Sequence, residues 1–156
     1  AHISALEFLK ASEFVDEIHP PDELSEVLGQ ADFVSIHVRL DETTTHLFNA
    51  DVIASMRRGA ALINTSRGPV VDEAALITAL DSGHVGSAYL DVFETEPLPQ
   101  DSPLWEMNNV LITPHAADQV DDWPCRFAQL FASNLRCWLD GDQLSHQVYD
   151  GGHTSR

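Results

Sequence analysis

Apolar residues along the chain gather in short blocks of two kinds, and the two kinds alternate. "ADFVSIHV" (31–38), "AALIN" (60–64), "GSAYLDVF" (86–93) and "VLIT" (110–113) are short runs of near-continuous apolar character and read as strands. Between them the spacing of apolar residues changes to that of a helix. Leu24, Val27 and Leu28 share a face behind Asp22 as N-cap. Val52, Ile53 and Met56 do so between a capping Asn49 and a stopping Gly59. Leu76, Ile77 and Leu80 follow a capping Asp72 and end at Gly83. The strands begin near residues 33, 60, 87 and 110, which leaves room for one crossover each time. This pattern predicts an α/β fold with a doubly wound parallel sheet, its strands apolar throughout because both faces are covered.

The two ends read differently. "FVDEI" (14–18) predicts a short strand and "HPP" (19–21) a turn, while no element is evident at Ala1. A long helix is predicted over 121–139, capped by Asp121 or Asp122, with Pro124 in its first turn. Its Trp123, Phe127, Leu130, Phe131, Leu135 and Trp138 recur at helical spacing and read as core rather than as a platform for bases. One domain over 1–149 is expected, followed by a loose tail at 150–156, "DGGHTSR" being Gly-rich and polar from Asp150 on.

Composition narrows the partners. The 156 residues carry 25 acidic against 8 basic side chains, a formal net charge of −17. Such a field repels a nucleic-acid duplex or an anionic membrane, so neither is expected as a partner. The same acidity suits a high-salt habitat and, equally, ordinary drift. No run of 18 apolar residues occurs. Cys125 and Cys137 lie 12 apart on the predicted last helix, about 18 Å along its axis and beyond disulfide reach. A reduced, cytoplasmic location follows as the expectation. The histidines show no metal-ligand spacing, so no metal is expected.

In open parallel sheets ligands bind at the carboxyl ends of the strands. Those ends carry His37, Val38 and Arg39; Thr65, Ser66 and Arg67; Asp91 through Glu96; and Thr113, Pro114 and His115. Asp91 is an acid inside an apolar run, which is costly unless it is partnered. Arg67 alone could equally be a surface ion-pair partner, Glu96 a solvated acid and His115 a structural histidine. Together they suit one chemistry. An arginine grips a carboxylate with two hydrogen bonds, a histidine passes a proton near neutral pH, and a carboxylate beside it steadies the ring. That set fits reduction of a 2-keto acid by a bound hydride donor.

The segment from "ADFVSIHVRLDETTTHLFNADVIASMRRG" through "NTSRG", "LDVFETEP" and "ITPH" resembles the NAD-binding domain of the D-2-hydroxyacid dehydrogenase family. The resemblance runs from about residue 20 to 149. It implies NAD or NADP as cofactor and a small 2-keto or 2-hydroxy acid as substrate. It implies Arg67 as the substrate-binding arginine, His115 as general acid/base, Glu96 as its partner and Asp91 as a contact to the nicotinamide end. Thr44, Thr65, Ser66 and the stretch His37–Val38–Arg39 correspond to cofactor-lining positions, and Arg67 and His115 border the cofactor as well. "PLPQDSPLW" is similar to the glyoxylate and hydroxypyruvate reductase branch, in which Trp105 lines the active site or simply anchors its loop. A homodimer is implied for an intact family enzyme. The family also contains corepressors that act through protein contacts, which is the alternative function.

Departures from the family pattern stand beside it. Arg39 and "DETTT" replace a proline and a Thr-Pro-Glu-Thr-like run, and "AADQVDDWP" varies the stretch after His115. None of the eight glycines forms a G-x-G-x-x-G loop, the usual cradle for a pyrophosphate. The expectation is a partial Rossmann-like sheet lacking its first strands and that loop. It would be the C-terminal portion of a longer enzyme, close to inactive alone.

Overall fold

A computed structural model describes residues 4–6, 15–119 and 121–145, the first segment by its backbone alone. The chain divides into two compact units, 1–117 and 118–156.

In the first unit the strands are β1 (Ser4–Leu6), β2 (Glu17–His19), β3 (Phe33–Ile36), β4 (Ala61–Asn64), β5 (Ser87–Leu90) and β6 (Val110–Ile112). The helices are α1 (Leu24–Leu28), α2 (Ala50–Ser55) and α3 (Glu73–Asp81). β3–β4–β5–β6 form a four-stranded parallel sheet in chain order, as the even spacing of strands and helices predicts. β1 and β2 pair in parallel as a separate sheet. β1 thus supplies an element where the sequence pattern predicts none, and β2 extends through His19, where that pattern predicts a turn. Part of the "FVDEI" segment lies outside the described residues, as does the tail 150–156.

Within this unit the helix boundaries follow the capping chemistry with two exceptions. Asn49 accepts from the Val52 amide at 3.0 Å and Asp72 from the Ala75 amide at 3.0 Å, and each opens its helix. Gly83, at φ 68, closes α3 just past its C-cap Ser82. Asp22 does not cap α1. It lies within a 3₁₀ turn, Pro21–Glu23, whose proline begins the turn without a side-chain cap. Gly59 stands beyond the C-cap Met56 of α2 and, at φ 84, turns the chain into β4.

The core lies on one face of the sheet. Val34, Ile36, Leu62, Ala88 and Leu90 pack with Leu28 of α1, Ile53 of α2, Met56, and Leu76 and Leu80 of α3. The opposite face carries Phe33, Ser35, Ile63, Tyr89 and Leu111 in matched register, and Phe33 is 74% exposed. Coverage of both faces, which near-continuous apolar strands imply, is therefore not found within this unit. Apolar content reports that a face can be buried, not that a partner is present.

The second unit contains α4 (Trp123–Asp140), with Pro124 in its first turn. Asp122 precedes it at φ 66 and makes no side-chain cap. After the helix the chain folds back, the Ser145 amide and hydroxyl both donating to Asn134 Oδ1 at 2.9 Å. Trp123, Phe127, Phe131, Leu135 and Trp138 are exposed, not core as read from their spacing. Helical periodicity establishes a stripe, while burial needs an apolar surface to meet it. Among the described residues of this unit the only aromatic ring contact is Trp123 on Phe127. Cys125 and Cys137 are both free thiols on α4. No helix among the described residues is long and apolar enough to cross a membrane.

Two loops of the first unit meet backbone to backbone. A Cβ on Gly68 would lie 1.9 Å from both the carbonyl carbon and oxygen of Phe93, whereas at Gly29 nothing lies closer than 3.5 Å. Gly68→Ala should therefore lower stability by about 3 kcal/mol, and Gly29→Ala should change it by less than about 1 kcal/mol. Paired chemical denaturation of the two variants measures this, and equal midpoints would contradict the close approach.

Candidate active site

The site is built along the carboxyl edge of the four-stranded sheet. Ile36, Asn64, Leu90 and Ile112 end their strands in one row. The ladder runs one step further, with the Asp91 amide donating to Asn64 O at 3.0 Å and the Thr113 amide to Leu90 O at 3.0 Å. His37, Thr65, Asp91 and Thr113 are thereby delivered side by side.

Two groupings emerge from the expected residues. The first is an open cleft of about 350 Å³ lined by His37, Val38, Arg39, Leu40, Thr65, Ser66 and Arg67. The second is Asp91, Glu96 and His115. Arg67 borders both, since its charge acts on Glu96 and on His115. Thr44 lines neither. Its hydroxyl donates to Arg39 O at 2.7 Å and accepts from the Asp41 amide at 2.8 Å, shaping the loop that carries Arg39. His37 meets the Ser35 hydroxyl at 2.8 Å. Trp105 is half-exposed and donates from Nε1 to Pro99 O at 2.8 Å, so the indole anchors its loop.

Arg67 is set by Asn64, a residue the sequence reading passed over. Asn64 is buried. Its Oδ1 accepts from the Ser66 amide at 3.1 Å and the Ser66 hydroxyl at 2.9 Å, and its Nδ2 donates to Arg67 O at 3.1 Å. The Arg67 guanidinium itself is exposed and donates from Nη1 to Ser66 O at 2.6 Å. A buried asparagine ending an apolar strand was the available signal, because its amide must find partners.

Asp91 is 1% exposed. Its Oδ1 accepts from the Thr113 hydroxyl and from the Ala116 amide at 2.9 Å, and its Oδ2 from the Ala117 amide at 2.8 Å. Burial works to raise its pKa. The Ala116 amide, the Thr113 hydroxyl, the Ala117 amide and the nearby His115 outweigh burial, so the carboxyl is held below its ordinary value. Tyr89 Oη lies 3.1 Å from the Thr113 hydroxyl. The single Thr113 hydrogen goes to the carboxylate, so Tyr89 is the donor of that contact.

His115 sits at φ 52 on the turn these bonds define. Its Nδ1 lies 2.7 Å from Glu96 Oε2, and Glu96 Oε1 accepts from the Phe93 amide at 3.1 Å. The Glu96 hydrogen bond and charge raise the His115 pKa against slight burial. Asp91 adds to the rise and Arg67 opposes it. Glu96 is held below its ordinary value: burial opposes this, but the His115 bond, the Phe93 amide and the charges of His115 and Arg67 prevail. Among the described residues no group of three potential metal ligands is gathered.

Glu94, on the same loop, also proves partnered rather than free in solvent, accepting from His46 and from the Glu73 amide. His46 stands in a turn at φ 50.

Known proteins are similar to this chain in sequence and fold. Residues 4–117 match the profile described as "D-isomer specific 2-hydroxyacid dehydrogenase, NAD binding domain". That span starts earlier than the resemblance noted above and stops where the first unit ends. A glyoxylate reductase of Korarchaeum cryptofilum is 44% identical over 119 residues, covering 76% of this chain and 36% of that protein. A glyoxylate/hydroxypyruvate reductase B of Escherichia fergusonii is 46% identical over 120 residues, covering 77% and 37%. This chain thus spans little more than a third of those curated relatives. Among solved structures, a D-isomer specific 2-hydroxyacid dehydrogenase of Xanthobacter autotrophicus in complex with NADPH and MES superposes with a TM-score of 0.78. It is 37% identical, over 95% of this chain and 70% of that one. An NADPH-dependent glyoxylate/hydroxypyruvate reductase of Sinorhizobium meliloti in complex with NADP and sulfate gives 0.76 at 32% identity, over 92% and 46%. The chain belongs to the D-isomer specific 2-hydroxyacid dehydrogenase family, through that family's NAD-binding domain.

Proposed function

We propose that this chain forms the dinucleotide-binding and proton-transfer part of an NAD- or NADP-dependent oxidoreductase that reduces a small 2-keto acid to its 2-hydroxy acid. Glyoxylate and hydroxypyruvate are the substrates proposed, by analogy with the named activities of its relatives. The observation that carries the reading is the convergence of Arg67 with a hydrogen-bonded Glu96–His115 pair at one sheet edge, beside an open cleft.

The residues present fit part of a dinucleotide. The cleft lies at the carboxyl ends of β3 and β4, where such ligands bind in open parallel sheets, and its walls combine Val38 and Leu40 with polar Thr65 and Ser66. His37 through Arg39 and Thr65 through Arg67 would hold the cofactor there. These 156 residues contain no G-x-G-x-x-G, so a pyrophosphate cradle of that kind is not among the residues assigned to the cofactor. The dinucleotide, when bound, supplies the hydride.

The remaining chemistry belongs to the chain. Arg67 is placed to hold the substrate carboxylate and to polarise the keto oxygen by charge-assisted hydrogen bonds. Glu96 accepts from Nδ1 of His115, so in the neutral ring the proton resides on Nδ1 and Nε2 is the atom that exchanges a proton with substrate. In reduction, Nε2–H protonates the developing alkoxide. In oxidation, the neutral ring takes that proton back. Glu96 stabilises the imidazolium and fixes the plane of the ring.

The test is reduction of glyoxylate and hydroxypyruvate, with NADH and NADPH, by the protein that carries this chain. Arg67→Lys should raise KM and lower kcat, because the planar fork is lost. His115→Ala should lower kcat by about 10²-fold or more. Unchanged kinetics in either variant would overturn the assignment. Glu96→Gln removes the largest cause of the raised His115 pKa. The falling limb of the reduction rate should then move to lower pH, and a pH–rate profile identical to wild type would contradict the role given to Glu96.

A further inference from the structure

The loop carrying Glu96 is also held from a side that the proton-transfer pair does not use. Glu94 Oε1 accepts from the Glu73 amide at 3.1 Å, at the first residue of α3, and the Glu94 amide donates to Glu73 Oε2 at 3.4 Å. The same Glu94 Oε1 meets His46 Nε2 at 2.9 Å. His46 lies between β3 and α2, and its own amide donates to Pro69 O at 2.8 Å. A single carboxylate therefore gathers three segments: the connection that follows the cleft residues 37–40, the start of α3, and the loop that presents Glu96.

The arc from Phe93 to Glu96 is short, and it is gripped at both ends. Phe93 packs its carbonyl against Gly68, and its amide bonds Glu96 Oε1. Glu94 restrains the middle. A carboxylate delivered 2.7 Å from a ring nitrogen tolerates little displacement, because a charge-assisted hydrogen bond weakens once its atoms part by about 1 Å. A negative side chain at the N-terminus of α3 is favoured by the helix as well.

We propose that Glu94 is a positioning residue for the Glu96–His115 pair, its clamp on His46 and Glu73 setting the distance at which Glu96 meets the imidazole. The catalytic meaning of the clamp rests on the reading of that pair given above. The groups that face His115 are Glu96, Asp91 and Arg67, and Glu94 is not among them. Glu94 therefore acts on the ring through Glu96.

The experiment is an NMR titration of the histidines in the 156-residue chain, with no substrate or dinucleotide present. His84, bonded to Ile53 O in the fold, serves as the internal reference. Glu94→Ala should lower the His115 midpoint by about half a pH unit or more, while His84 is unmoved. Glu94→Gln keeps an oxygen that accepts from the Glu73 amide and should restore most of the midpoint. His46→Ala, which leaves the Glu73 contact in place, should fall between. A wild-type His115 midpoint in Glu94→Ala would overturn the proposal. So would Glu94→Gln falling as far as Glu94→Ala, since loss of charge alone would then account for the shift. Should Glu94→Ala fail to fold, an unmoved His115 in His46→Ala overturns it. These results bear on the clamp alone, whereas undiminished turnover in His115→Ala bears on the catalytic reading alone.

Discussion

A carboxylate sealed among apolar residues at the end of a central strand requires donors, and the chain has to supply them. Asp91 obtains its donors from the segment after β6: the Thr113 hydroxyl and the amides of Ala116 and Ala117. To reach all three, that segment must turn over the end of β5, and His115 occupies the turn in a left-handed conformation uncommon for a non-glycine residue. The imidazole is thus carried to Glu96 by the satisfaction of a buried charge on the strand next to the one that leads into Arg67's loop. Removing a partner from a buried charge costs several kcal/mol, so the turn is held firmly. Asp91, which the family resemblance placed at the nicotinamide end, is 1% exposed in the structure and both its oxygens accept bonds from the turn.

The loops that carry Arg67 and Glu96 are brought together by an absence of side chain. At Gly68 the backbone passes so close to Phe93 that no Cβ fits, and the residues on either side are therefore placed relative to one another by main-chain packing. Asn64 then orders the first loop and Glu94 the second. Electrostatics acts over the same short distances. The chain as a whole is strongly acidic, yet Arg39 and Arg67 both line the cleft. Arg39 faces Asp41 at 3.7 Å, Arg57 is paired with Asp32, and Arg58 donates to Ser82 O. An anionic ligand approaching an acidic surface finds cationic side chains there.

Much of this was legible in the sequence, for physical reasons. Strand and helix spacing revealed the parallel sheet because each strand end must be followed by a crossover, and Asn49 and Asp72 marked helix starts because their side chains accept the first free amides. Strand ends also pointed to Arg67, Asp91, Glu96 and His115, which the fold does bring to one edge. What failed had one origin: local pattern does not name a partner. The stripe on α4 and the second face of the sheet have the composition of buried surfaces without a packing partner within their own units. Asp22 satisfies the composition of a cap but is bypassed by Pro21. The roles of Glu94 and His46 are not legible in the sequence because they lie in a contact between residues 48 positions apart, whereas Asn64 acts locally on Ser66 and Arg67 and is marked by a polar amide at the end of an apolar strand.

In the proposed function, His115 is the group whose protonation permits reduction and whose deprotonation permits oxidation. The measurement that tests this most directly is kcat/KM against pH in both directions, on the protein carrying this chain, beside the NMR midpoint of His115. The reduction rate should fall and the oxidation rate should rise through one shared midpoint. That midpoint should coincide with the His115 titration, displaced upward by Glu96. Two profiles with unrelated midpoints, or a rate insensitive to pH across the His115 transition, would contradict the assignment of proton transfer to this residue.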